Sequence, residues 1–278
     1  MKNLLSTGIT MLALMVMFSG FSQRKPRIKG NRSVVSVEKP LPSFTHLILS
    51  EEFELHLQQG PEPSVRIEAD DNLIDILRFE VAGDTLRVDS FYRITASKKL
   101  GLTLVYNEIE SIRVEAGRLV AEQTLVSDRL NLLLTGGGKA EMNVRASLMD
   151  LKMEQNTSAD LRVETDSLHA DFNGFTDTHI YTSGGAIDLA MTGQASLDLE
   201  GVSPGLTASL TDNSRLKASG LQADVVTVLL NTSANARIQA VSEVAYEGRG
   251  SARLFVYGQP QIRILGMFDR AELHKVPD

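Results

Sequence analysis

Between residues 136 and 253, small polar segments return at a nearly fixed interval, and no other feature restricts the fold as tightly. They are GGGKAEM at 136, QNTSADL at 155, NGFTDTH at 173, TGQASLD at 192, TDNSRLK at 211, LNTSANA at 230 and EGRGSAR at 247. Their starts lie 19, 18, 19, 19, 19 and 17 residues apart, and an apolar stretch precedes each. A second station recurs between them: VSD at 126, ASL at 146, TDS at 165, SGG at 183, VSP at 202 and VSE at 241. Two corner stations per period of about 19 residues describe a closed coil of short strands, the pattern of a solenoid. Nineteen extended residues give a perimeter of roughly 60 Å, and seven coils stacked about 4.8 Å apart make a rod roughly 30 Å long. A helical repeat would need sustained i, i+3, i+4 patterning and a longer period, and the sequence has neither. The expected fold is therefore all-β, a right-handed parallel β-helix with coils of about 19 residues; a β-sandwich is the alternative.

The glycine run at 136 invites a second reading, because Lys139 follows it directly. A phosphate-binding P-loop needs glycine where Leu133 stands and Ser or Thr where Ala140 stands. It also opens a helix, whereas AEMNV alternates as a strand. A tight corner, where only glycine takes positive φ at little cost, fits the residues better.

Upstream of the repeat, Phe53, Leu55 and Leu57 alternate with Glu54, His56 and Gln58, the period of a half-buried strand. SVRIEAD and the pair of short runs around Gly83-Asp84 continue the pattern, and DNLIDIL has room for one helical turn. Residues 23–40, basic and carrying Pro26, Gly30 and Pro40, read as a linker or a loose first strand. Residues 41–278 read as one β-helical domain. Within it, 41–114 supply N-terminal strands as further coils or a cap, 115–262 regular coils, and 263–278 a C-terminal cap that blunts the last edge.

The chain opens with Lys2, an apolar run from Ile9 to Phe18, and small residues at Gly20 and Ser22. That is the pattern of a secretory signal at 1–22, cut before Gln23, with an uncleaved anchor as the alternative. The run is too short to span a bilayer, and no second one follows, so no transmembrane segment is expected in the mature chain. Export points to the periplasm, an outer-membrane association or the cell surface. With no cysteine, the chain cannot use disulfides, cysteine acylation or a thiolate metal site. Removing 1–22 leaves 27 basic against 35 acidic residues, a net of −8. That balance works against nucleic acid, whose affinity comes largely from neutralising phosphates.

Candidate chemistry is sparse. His46, His56, His169, His179 and His274 form no HxxxH or HExxH pattern, and no GxSxG elbow is present. No metal or other cofactor is expected. In a solenoid, residues one period apart share a face, which puts His179, Asp198 and Lys217 in one column of three successive coils. Such a ladder can be a solvated face of alternating charge, or can bind an acidic sugar and assist proton abstraction. Asn31, Asn156 and Asn231 sit in N-x-Ser/Thr sequons. The triplets DTL at Asp84 and DSL at Asp166 are similar to the O-glycosylation acceptor of Bacteroidetes exported proteins, which makes Thr85 and Ser167 candidate acceptors.

The N-terminal half carries a family resemblance. An aromatic start at Phe44, a strand ending in Gln59-Gly60, the EADDNL run from Glu68 to Leu73 and the GDTL hairpin from Gly83 to Leu86 are its first four marks. The later VYGQPQI followed by Gly266 is a fifth. Over residues 40–275 the chain resembles the "putative auto-transporter adhesin, head GIN domain" family of Bacteroidetes. The resemblance implies an exported β-helical protein of unassigned biochemical role, adhesion by analogy, and no catalytic residues to carry over. The sequence thus favours a non-catalytic envelope protein that offers a flat, polar, repetitive surface to a glycan or another envelope protein. The second choice is a polysaccharide lyase or hydrolase, since β-helices host such enzymes; short regular coils and the absence of tryptophan count against it. The ligand and oligomeric state are not encoded in any motif.

Overall fold

A computed structural model describes residues 25–277, so the secretory signal expected at 1–22 lies outside the described residues. Strand makes up 74% of the structure and helix 2%, arranged as a β-solenoid of about nine turns. Successive coils pair parallel and in register: Ile187 opposes Leu206, Leu206 opposes Val226, and Val226 opposes Val244. All four are buried, because alternate residues of each strand point into the coil. Parallel ladders at a one-period offset exclude the sandwich, whose packed sheets are antiparallel. The stack buries apolar side chains coil upon coil, so the interior is one continuous core from Phe44 to Val256.

At the N-terminal end, spatial order departs from chain order. Strand His46–Leu49 lies between Thr85–Ser90 and Ser111–Val114, parallel to both. Glu54–Gln59 likewise lies between Leu100–Tyr106 and the start of Arg118–Leu134. The chain thus leaves its first coil after Gln59, builds a base beneath it, and climbs back at Ser111. Antiparallel pairing closes that base: Ser64–Asp70 bonds to Leu100–Tyr106 on one side and to Val34–Pro40 on the other. A hairpin joins Leu77–Ala82 to Thr85–Ser90. The DNLIDIL stretch supplies a single helical turn, Asp71–Ile74, which buries Leu73 and Ile74.

One corner sets the period. Gly117, Gly136, Gln155, Gly174, Gly193, Asp212, Thr232, Gly250 and Asp269 all have positive φ, one residue per coil. At the glycine run, Gly136 takes φ 67° and a Cβ on Gly138 would run into Val114 O. The Gly137 and Gly138 amides both donate to Thr135 O, at 2.7 and 2.8 Å, and the Lys139 amide donates to Gly117 O at 2.9 Å. The donors a phosphate cradle would need are spent on the corner itself.

At the other end, Gln261–Met267 and Glu272–Lys275 pair parallel with the preceding coil. The tail thus continues the ladder, and the outer edges of both strands carry no partner strand among the described residues. Arg263, Glu272, His274, Lys275 and Pro277 supply charge and a proline along this stretch, which discourages further pairing.

Candidate functional site

The face that follows the left-handed corner presents two outward columns of side chains, two residues apart along each strand. One column runs His179, Asp198, Lys217, Arg237, Phe255, His274, each opposite the next in register. The other runs Asp177, Ser196, Arg215, Asn235, Arg253, Glu272. Neighbours within a column stand one coil apart, about 4.8 Å between backbones. The expected ladder of His179, Asp198 and Lys217 is therefore brought together.

Its lower half is acidic. His179 Nδ1 lies 3.3 Å from Asp160 Oδ1, and its Nε2 lies 3.9 Å from Glu200 Oε2. Lys217 Nζ donates to Asp198 Oδ2 at 2.6 Å. That hydrogen bond, then the charge of the same carboxylate, raises the Lys217 ammonium above its usual range, with the Arg237 charge opposing. Asp198 Oδ1 is buried with no hydrogen-bond partner among the described residues. A lysine held protonated by a carboxylate is a cationic binding group and a poor general base.

The upper half is basic. Arg215, Lys217, Arg237 and Arg253 line one open groove of about 620 Å³, shared with Asp177 and Asp198. Phe255 and His274 stack with centroids 4.9 Å apart and planes 14° from parallel, and the Arg237 guanidinium stands 5.8 Å from the Phe255 ring centre. A second open groove of about 460 Å³ holds the acidic half, including Glu141, Asp160, Asp177 and His179. Among the described residues no three His, Asp or Glu side chains converge as metal ligands. No helix among them is long and apolar enough to cross a membrane.

The three arginines were not singled out from the sequence. A fixed 19-residue step from Arg215 lands on Ala234, whereas the true partner is Asn235, and the next step is 18 residues, to Arg253. A one-residue bulge hid the column. The candidate glycan acceptors both sit at chain corners and are half-buried: Thr85 follows the Gly83-Asp84 turn, and Ser167 has its amide bonded to Thr165 Oγ1 at 3.3 Å. Nothing brings either of them to the two columns.

A family model described as "Putative auto-transporter adhesin, head GIN domain" matches residues 43–183 and 156–260. A solved structure of a "putative adhesin" from Parabacteroides merdae ATCC 43184 is similar, with a TM-score of 0.68 at 14% identity, covering 91% of this chain and 100% of that one. Another, a "putative adhesin" from Parabacteroides distasonis ATCC 8503, has a TM-score of 0.67 at 15% identity over 90% of this chain and 100% of that one. A "Putative lipid binding protein" from the same P. distasonis strain has a TM-score of 0.58 at 18% identity, over 90% and 100%. At these identities the likeness is one of fold. No curated protein matches the sequence.

Proposed function

Because the chain belongs to the head GIN domain family, we propose that it is an exported, non-catalytic binding protein of the cell envelope. Its outward columns face a glycan or another envelope protein. The observation that carries this reading is the in-register ladder from His179 to His274, a row of polar and charged groups repeated along an open face. A repeated surface meets a repeated ligand or a long protein edge over many weak contacts, without an enclosed site.

Two features weigh against the lyase or hydrolase. Proton abstraction needs an unprotonated base, and the ladder lysine is tied to Asp198. Catalysis on a solenoid also depends on groups grafted onto loops, and these coils turn through short corners. Lipid binding, named for one similar structure, finds no support on this face, because its grooves are lined by polar side chains and, beneath them, the buried Leu197 and Leu216 in one and Ala140 and Ala159 in the other.

Protease shaving of intact cells tests the location: cleavage from outside supports display at the surface, and full protection sinks the adhesin form of the proposal. A glycan array run beside degradation assays tests the rest. Release of unsaturated sugars that is lost in Asp198→Ala or Lys217→Ala would overturn the non-catalytic reading. Modification at Thr85 or Ser167 is read by intact mass on protein from the native host.

A further inference from the structure

We infer that the groove of Arg215, Lys217, Arg237 and Arg253 is a binding site for a linear acidic polysaccharide, an inference that rests on the binding role proposed above.

The first ground is unspent charge. Lys217 has Asp198, but the guanidinium groups of Arg215 and Arg253 make no hydrogen bond or ion pair among the described residues. Arg237 has only its approach to the Phe255 ring. Elsewhere on the solenoid the coil-to-coil habit is to pair charges: Arg118 with Glu141, Arg129 with Asp150, Arg145 with Glu164. Three exposed arginines on three successive coils, in a chain of net charge −7, break that habit.

The second ground is spacing. The cations zigzag between two columns, with Lys217 and Arg237 one coil apart and Arg215 and Arg253 two coils apart. A step of about 4.8 Å per coil is comparable with the length of one pyranose ring, so a chain bearing one carboxylate or sulfate per sugar or per disaccharide can meet them in sequence. Guanidinium groups take such oxyanions in two parallel hydrogen bonds. Each strand of a duplex carries a charge every 3.4 Å or so of its axis, which does not match the step of about 4.8 Å between coils.

The third ground is what stands between the cations. Ser196, Asn213, Ser233 and Asn235 line the same groove, which suits sugar hydroxyls. Of the large apolar side chains that are exposed, none lines it, so a bilayer has nothing to receive. The acidic half fixes polarity: an anionic chain is held at the C-terminal coils and repelled at the middle ones.

The test is titration of the full mature chain against polygalacturonate, chondroitin sulfate, neutral dextran, a single-stranded oligonucleotide and vesicles rich in phosphatidylglycerol. Binding to an acidic polysaccharide, weakening steeply with salt, is expected. Arg215→Gln and Arg253→Gln should each weaken it roughly tenfold, and the triple variant with Arg237→Gln should abolish it. Arg145→Gln, on a paired arginine outside the groove, should change it little. These exposed substitutions leave the melting temperature as a control on folding. No affinity for either acidic polysaccharide, or affinity indifferent to the three arginines, overturns the site. Oligonucleotide or vesicle binding through the same arginines, without polysaccharide binding, overturns the ligand class. Dextran binding that survives the triple variant removes the acidic-glycan site while leaving the general binding role standing.

Discussion

Asp212 Oδ2 accepts the amide of Gly193, 19 residues earlier and one coil below, at 3.2 Å. Both residues have positive φ, so a left-handed aspartate in one coil caps the left-handed residue beneath it. Asp269 repeats the arrangement on Gly250 at 3.1 Å. The corner column is thus held by backbone conformation and, at two levels, by a side chain reaching down the stack. Asp212→Ala should destabilise the protein by about 1–2 kcal/mol, losing the hydrogen bond and putting an ordinary side chain at φ 64°. Asp212→Gly should recover part of that, since glycine tolerates the conformation. Equal melting temperatures for the two variants would remove backbone conformation from the explanation.

Thr232 occupies the same column at φ 64° with a β-branched side chain, which the left-handed region disfavours. Thr232→Gly should therefore stabilise by about 0.5–1 kcal/mol, the relief of strain outweighing the added freedom of the unfolded chain. Chemical denaturation checks it; a lowered midpoint would mean that the threonine makes a contact worth more than its strain.

The interior of the middle coils is unexpectedly polar. Thr157 and Thr176, one period apart, are 4% and 2% exposed, and neither hydroxyl has a hydrogen-bond partner among the described residues. At that station other coils place Ala195, Ser214, Ala234 and Ala252 inward. Valine has the shape of threonine without the hydroxyl, and it suits a strand. Thr157→Val and Thr176→Val should each stabilise by about 1 kcal/mol, because a buried unpaired hydroxyl carries its full desolvation cost. Thermal melts of the single and double variants read the effect, and destabilisation in both would imply that a partner satisfies the hydroxyls.

Much of this architecture was legible, and the reason is local. Left-handed corners recruit Gly, Asn, Asp and small residues, so Gly136, Gly174, Gly193 and Asp212 announce the period in the text of the chain. Stepping by 19 then places His179, Asp198 and Lys217 in one column. The same stepping fails after Arg215 and Lys217, because their coil carries one extra residue just past Lys217, where Asp198 opposes Lys217 but Glu200 opposes Gly220. The base of the solenoid was illegible for another reason. Alternation at Phe53, Leu55 and Leu57 gives the buried face of a strand but says nothing about its neighbour, so the excursion of 60–110 beneath the first coil leaves no mark. The burial of Asp70 is not written locally either, since burial of a charge depends on distant backbone donors.

That aspartate is a latch. Fully buried, it accepts backbone amides from Arg32 at 3.1 Å, Lys98 at 3.0 Å and Lys99 at 3.4 Å. It thereby ties the N-terminal arm and the 97–99 loop to the strand Ser64–Asp70. The Lys98 amide bond is the main cause that holds its carboxyl below the ordinary value of 3.8; burial opposes it, and the Arg32 and Lys99 amides add to it. A carboxylate with a lowered folded pKa contributes stability that is present above the unfolded value and is lost as pH falls through the folded one. Acid should therefore loosen the base of the solenoid only below about pH 4, within the range set by that ordinary value. Asp70→Asn should release the arm at neutral pH and flatten the acid dependence. Hydrogen exchange at 27–40 and 97–99 follows it, and unchanged protection in the variant would mean that the arm is held by its strand pairing alone.

Tyr246 and Gly248 form the corresponding lock near the other end. The tyrosine ring is buried in the core, its hydroxyl donates to Glu272 O at 3.3 Å, and a Cβ on Gly248 would run into that hydroxyl. Gly248→Ala should be destabilising by about 1–3 kcal/mol, because a ring packed on all sides cannot move aside. Tyr246→Phe removes the obstructing oxygen at the loss of one hydrogen bond, about 1 kcal/mol. In the double variant the alanine should therefore cost much less than it does alone, a coupling that a double-mutant cycle measures directly. Additive losses would mean that the two positions do not meet. Burial also pushes the Tyr246 hydroxyl up to about 12 from an ordinary 10.0. Its neutral form is favoured in the folded state, so stability should hold below pH 10 and decline as pH rises from there towards 12. Tyr246→Phe should lessen that decline, the buried Tyr106 hydroxyl, which burial also raises, keeping part of it, and an alkaline melt series on the two proteins decides it.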